Sequence, residues 1–208
     1  MEKLLDQTNG EREVHRFLKE HPWLIWGMFC NVGGHSDYVL PEFRLRDKFR
    51  ADFVVMQSYS GAWDVHLIEL EPVGSKLFRD SDERPEKRFL GAVYQIEDWK
   101  RFIKTEEQTF KNCLADTAMT SDVFQPEYNM SSEPSSMAGD LLRNPKTCIW
   151  YNYHIVVGRS SELNSHMQYL KSSYEHTNDI RVHTYDRLLR VAEAFDNKTP
   201  LYKAELPK

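Results

Sequence analysis

Cysteine is scarce in this chain. Its three copies among 208 residues, Cys30, Cys113 and Cys148, are odd in number, widely spaced and free of any Cys-x-x-Cys pair. That argues against a disulfide framework and against a zinc knuckle. No apolar run approaches the roughly 20 residues needed to cross a bilayer, and the opening Met-Glu-Lys-Leu-Leu-Asp-Gln lacks the charged-then-apolar pattern of a signal peptide. These absences predict a cytoplasmic chain with no membrane partner. Positive charge is not in excess either: the net charge of −5 removes the simplest signature of nucleic-acid binding, although a local basic stripe suffices for it. A Gly-rich phosphate loop, a His-Glu-x-x-His zinc motif, a Gly-x-Ser-x-Gly elbow and a dinucleotide fingerprint are all missing. The histidines (His15, His21, His35, His66, His154, His166, His176 and His183) show no ligand spacing and are expected on the surface or in the core.

Bulky core material is plentiful, with five Trp, ten Tyr and eleven Phe in a composition that is 40% hydrophobic. This is enough for one domain spanning residues 1–208. Val14, Phe17 and Leu18 give residues 11–20 helical spacing, and His21-Pro22 ends that helix. Residues 23–38, aromatic and carrying Gly33-Gly34, read as an irregular connection. Alternating runs at 39–45, 49–57 and 63–71 predict three strands in an antiparallel meander. A polar loop at 72–84 precedes a helix over 86–104. Residues 105–147 are poor in pattern and predict an insert or mobile segment. A strand at 148–158, a helix at 162–176, a strand at 180–185 and a helix at 186–195 complete the order α-β-β-β-α-β-α-β-α. The fold class is therefore α/β, a mixed sheet with helices on its faces.

Three carboxylates stand inside otherwise apolar strands: Asp52, Glu69 and Glu71. Such groups are costly there unless paired, hydrogen-bonded or bound to a cation. Alternation directs Glu69 and Glu71 to one face, with Cα atoms about 6.6 Å apart. Antiparallel pairing of the second and third strands brings Asp52 across from them. Oxygen ligands without a histidine cluster suit a hard divalent ion, Mg²⁺ before zinc, and phosphodiester hydrolysis is the reaction such an arrangement serves best. An ion pair of Asp52 with Arg50, or simple exposure of Glu71 at a strand end, explains those two residues without a site. Arg44, Arg46, Lys48 and Arg50 form one basic stripe beside the acidic group. Lys76, Arg79, Arg84, Lys87 and Arg88 form a second, and either is equally well a solvated face.

Asp52 followed by Glu69-Leu70-Glu71, after an initial helix and a strand carrying Pro41-Glu42, resembles the PD-(D/E)xK nuclease superfamily. More narrowly, the stretch Glu11-Arg12-Glu13-Val14-His15-Arg16-Phe17-Leu18-Lys19-Glu20-His21-Pro22-Trp23-Leu24 is similar to the nuclease domain of the Shedu antiphage defence proteins. So are Arg50-Ala51-Asp52-Phe53-Val54 and Ile68-Glu69-Leu70-Glu71-Pro72. The resemblance covers residues 11–104 well and 148–195 more loosely. It implies a restriction-endonuclease-like core, DNA as the partner, and Mg²⁺ (or Mn²⁺) held by Asp52, Glu69 and Glu71. It also implies supporting roles for Glu11 on the first helix and Gln95 on the helix after the motif. Glu71 stands where the superfamily ordinarily has a lysine, so water activation would lean on metal ions. Lys76 is the nearest loop lysine, and a solvated position is its simpler explanation. Glu42, a strand-edge glutamate beside a proline, needs no function.

The resemblance further implies a homo-oligomer, with regulation in residues 105–147, in self-assembly or in a separate regulatory protein. Trp23, Trp26 and Phe29 suit either an interface or the core. Two other functions compete with a DNA endonuclease. A nuclease fold weakened by the lysine-to-glutamate change would bind DNA or protein without turnover. Glycoside hydrolysis by a carboxylate pair fits poorly, because glutamates two apart on one strand project in parallel and do not flank a bond.

Overall fold

A computed structural model describes residues 1–7, 10–29, 34, 36–45, 49–121 and 133–199. Five strands form one sheet in sequence order: β1 (Asp37–Leu45), β2 (Phe49–Ser58), β3 (Ala62–Leu70), β4 (Cys148–Val156) and β5 (Arg181–His183). The first three pair antiparallel through short connections; β4 joins β3 in parallel, and β5 joins β4 in parallel. The sheet is mixed, as the change from hairpin to crossover connections predicts.

Helices cover both faces. On one side lie α1 (Glu2–Gln7), α2 (Glu11–Glu20), α3 (Pro22–Phe29) and α7 (Asp186–Asp196), which bury Leu5, Val14, Leu18, Leu24, Leu188 and Val191 against Val39, Val55 and Ile68. On the other lie α4 (Lys87–Thr105), α5 (Glu107–Thr120) and α6 (Ser165–Asn178), which bury Phe89, Ile96, Trp99, Phe110, Leu114 and Met167 against Leu40, Val54, Val65 and Leu67. The result is a three-layer α/β core.

Two stretches depart from the sequence reading. Residues 22–29 are helical, not irregular. Pro22 occupies the first helical position, where its missing N–H costs nothing, and the helix is apolar on every side because the sheet and α7 enclose it. Trp23 stacks edge-on against Phe195 with centroids 4.7 Å apart, and Phe29 is buried, so these aromatics serve the core. Residues 107–120 likewise form α5, with Phe110, Leu114, Ala115 and Ala118 fully buried. Lys111, itself buried, donates to the Thr147 carbonyl at 2.8 Å and ties the following loop to this helix. Residues 133–147 of that predicted insert are ordered by turns and a Ser135–Leu141 bridge, whereas 122–132 lie outside the described residues, as do Gly33, Arg46 and Lys48.

A local irregularity places the acidic residues. In a regular strand, positions three apart face opposite sides. Here Leu40 and Phe43 on β1, and their partners Val54 and Ala51 on β2, all enter the α4/α5 core. The alternation therefore slips by one residue in both strands. The slip falls at Glu42, whose φ of 51° is left-handed, a conformation that costs a non-glycine residue about 1–2 kcal/mol. It directs Glu42 and Asp52 toward α2. No described helix is long and apolar enough to cross a membrane.

Candidate metal and phosphodiester site

The β2–β3 ladder stops at Phe53↔Ile68, and the Asp52 carboxylate accepts the next N–H, that of Leu70, at 2.8 Å. Asp52 there turns toward His15 of α2. Glu69 continues the series Trp63, Val65, Leu67 and so faces α4, where Gln95 Nε2 donates to its Oε2 at 2.7 Å. The same Gln95 amide also donates to the Arg50 carbonyl at 3.3 Å, bridging the two strands at the point where they part.

Glu71 lies one residue past β3. Its N–H donates to the Val156 carbonyl at 2.9 Å, and its own carbonyl accepts the Tyr185 hydroxyl at 2.7 Å. Tyr185 is fully buried, so this bond fixes the backbone on which Glu71 is carried. Gly158 is needed beneath it: at its φ of +62° a Cβ would meet the Ser75 carbonyl at 2.6 Å, which would push away the loop that leaves Glu71. Tyr185 and Gly158 gave no signal as site residues in the sequence. Their role depends on a parallel crossover between segments more than 80 positions apart.

The electrostatics show that these groups form one cluster. Burial pushes Glu69 up to about 9, and repulsion from Asp52, Glu71 and Glu11 adds to it, with the Gln95 hydrogen bond opposing. Asp52, 5% exposed, is pushed up to about 6 by burial against the pull of the Leu70 N–H and Arg50. Glu71 rises to about 7 through burial and repulsion from Glu11, against the pull of Arg88, whose Nη1 is 3.9 Å away. Glu11 is raised by burial and then by Asp52. Each carboxylate thus destabilises the charge on its neighbours, and no lysine stands among them. Lys76 is held by Asp80 in the following loop.

His15 on α2 completes the surroundings. Its Nε2 lies 3.7 Å from Asp52 Oδ1 and makes no hydrogen bond, and burial holds the imidazole toward its neutral form. Of the second basic stripe, Arg79 and Arg84 are paired with Asp82, Lys76 with Asp80 and Arg88 with Glu71. A separate row escaped the sequence reading because its members come from β3, β4 and β5. His66 Nδ1 meets His154 Nε2 at 2.9 Å, His154 Nδ1 meets His183 Nε2 at 3.0 Å, and Phe29 packs on all three rings. Arg187 donates to His183 Nδ1, which fixes the direction of the row.

Among the described residues, no three His, Cys, Asp or Glu side chains are placed to hold a metal ion as they stand. One Glu69 oxygen is taken by Gln95 and one Asp52 oxygen by the Leu70 N–H, so the carboxylates stand apart. The donor chemistry nonetheless fits a hard divalent cation: several carboxylates raise one another's affinity for positive charge, and each of the two that is hydrogen-bonded keeps a second oxygen. Two clefts meet here, of about 1010 Å³ and about 780 Å³. Both are lined by Glu11 and Arg12; Arg88 lines the first, and Arg16, Lys19, Arg50 and Asp52 the second.

The chain matches the family model described as Shedu protein SduA, C-terminal, over residues 8–189. No curated protein matches the chain.

Proposed function

Because the chain belongs to the Shedu SduA C-terminal family, we propose that it serves in defence against phage as a divalent-metal-dependent DNA endonuclease. The observation that carries this reading is the mutually repelling cluster of Asp52, Glu69 and Glu71, with Glu11 beside it, set where two strands part; of these, Glu11 lines both adjoining clefts and Asp52 the second. Asp52, Glu69 and Glu71 would hold Mg²⁺ or Mn²⁺. When bound, such an ion polarises a phosphoryl oxygen, activates water and stabilises the leaving oxygen.

The protein's own groups do the rest. Gln95 orients Glu69 and joins it to the strand of Arg50, while Tyr185 holds the Glu71 backbone. Arg12, Arg16 and Arg88, exposed along the clefts, meet the backbone phosphates on either side of the scissile bond. His15, neutral and buried beside Asp52, is positioned to accept a hydrogen bond from a bound water. These arginines stand among carboxylates (Glu13 and Glu162 in the first cleft, Glu20 and Glu42 in the second, Glu11 in both), so phosphate contact rests on individual side chains and not on a net positive cleft.

Supercoiled plasmid tests the reading. With Mg²⁺ or Mn²⁺ the protein is expected to nick it, and Glu69→Ala is expected to abolish nicking. Retained DNA affinity without cleavage under either metal would leave the alternative, a nuclease fold that binds without turnover.

A further inference from the structure

Glu42 combines three features that a surface glutamate does not need. It sits in the edge strand β1 with a left-handed φ of 51°, so the chain tolerates strain to place it. The phase slip there turns it from the α4/α5 side toward α2. Its two carboxylate oxygens are then each taken by a different cation: Lys19 Nζ donates to Oε2 at 2.7 Å, and Arg50 Nη1 lies 3.5 Å from Oε1. Strained backbone of this kind concentrates at functional positions and argues from the outlier to a role.

The ion pairs themselves do not explain the strain. Lys19 and Glu42 are about two-fifths exposed and Arg50 more than half, and exposed pairs contribute little stability, typically below about 1 kcal/mol. What the arrangement does specify is geometry. Two cations from different elements converge on two oxygens of one anion, as they would on the two non-bridging oxygens of a phosphodiester. The trio lines the same cleft as Asp52, two residues along the strand from Arg50. Arg50 is also fixed from below, since its carbonyl accepts the Gln95 amide that holds Glu69.

We propose that Lys19 and Arg50 form a phosphate subsite for the DNA strand entering the cleft, and that Glu42 occupies it in the free protein as an internal stand-in for the phosphate. The DNA backbone displaces the Glu42 carboxylate when it binds. The guard sets a threshold: a long polyanion that also engages Arg12 and Arg16 displaces it, whereas a lone small anion competes poorly. The inference rests on the nuclease reading for its ligand, but it is read by binding and not by cleavage.

The test is fluorescence anisotropy of a short labelled DNA duplex with Ca²⁺ replacing Mg²⁺. Glu42→Gln, which keeps the side-chain shape, is expected to tighten binding about 3- to 10-fold at low salt, the scale of one phosphate contact. Lys19→Gln is expected to weaken it similarly and to reduce the salt slope by about 0.9. In the Lys19→Gln background Glu42→Gln should gain less than it does alone, because only the Arg50 half of the subsite is left to free. Glu20→Gln, which removes another carboxylate lining the same cleft, should have a much smaller effect than Glu42→Gln. Equal gains from Glu20→Gln and Glu42→Gln, or full additivity with Lys19→Gln, would reduce the effect to net charge and overturn the guard. If DNA binds and plasmid is nicked but Glu42→Gln changes nothing, the guard alone fails. A guard effect on binding without any nicking would retain the subsite and remove the nuclease. No DNA binding by the unaltered protein removes both.

Discussion

Glu69→Gln should make the protein more stable and less active at once. Without metal at pH 8, the substitution is expected to stabilise the fold by about 1–3 kcal/mol, the usual scale for a poorly compensated buried polar group. For a chain of this size that is a rise of several degrees in unfolding temperature. Gln95 keeps an acceptor at position 69, so the hydrogen bond between the helix and the strand survives. The sign follows from linkage. The folded-state value of Glu69 lies near 9, above the ordinary 4.5, so the folded state holds this proton more tightly than the unfolded chain does. The penalty is absent below about pH 4.5, grows as pH rises, and is complete above about pH 9. Calorimetry in EDTA should therefore show the advantage of Glu69→Gln shrinking toward pH 5. Plasmid cleavage by the same variant should fall on the order of 10²–10³-fold, the range for losing a principal electrostatic group of an active site. A variant that loses stability at pH 8 would show that Glu69 is held there by compensated structural contacts.

Glu71→Lys is the second decisive substitution. It restores the residue that PD-(D/E)xK nucleases ordinarily carry at this position, so a relic and a working site respond in opposite directions. Glu71 shares repulsion with Glu11 and Asp52, and its backbone is secured at both its N–H and its carbonyl. That much investment in one residue points to a group the site uses. Cleavage is therefore expected to drop on the order of 10²-fold, while the unfolding temperature without metal rises because a repelling carboxylate is removed. Arg88, 3.9 Å from the present carboxylate, would face the new ammonium and keep it from settling deeply among the acids. A sharp gain in cleavage would instead identify Glu71 as the lesion in a weakened nuclease.

The strands that carry the acids were legible because alternation is a strong local signal, and the pairing β1–β2–β3 followed from short connections. Glu11 and Gln95 were legible through the family resemblance, on helices α2 and α4 that helical spacing marked out. α3 was not legible for the converse reason: a helix enclosed on all sides has no polar face to set its period. Much of the apolar face of α5 is alanine, Ala115 and Ala118, which carries little hydrophobic contrast. The slip at Glu42 leaves no mark in the sequence, because a left-handed glutamate is spelled like any other. Yet that slip decides that Asp52 faces α2 and that Glu42 meets Lys19. The histidine row and the Tyr185–Glu71 bond are tertiary and join segments that the sequence keeps far apart.

The central claim is that Asp52, Glu69 and Glu71 together take a divalent cation. Titration calorimetry with Mn²⁺ at pH 7 and pH 8, in two buffers of different ionisation enthalpy, addresses it directly. Glu69 near 9 and Glu71 near 7 mean that the metal-free cluster carries about one and a half protons at pH 7 and about one at pH 8, which the cation must expel. Binding should tighten about tenfold or more per pH unit, with about one to two protons released per ion at pH 7, and Glu69→Gln should remove about one proton from that release, leaving the part that Glu71 contributes near pH 7. Absence of binding at either pH, or an affinity indifferent to pH, would contradict the account.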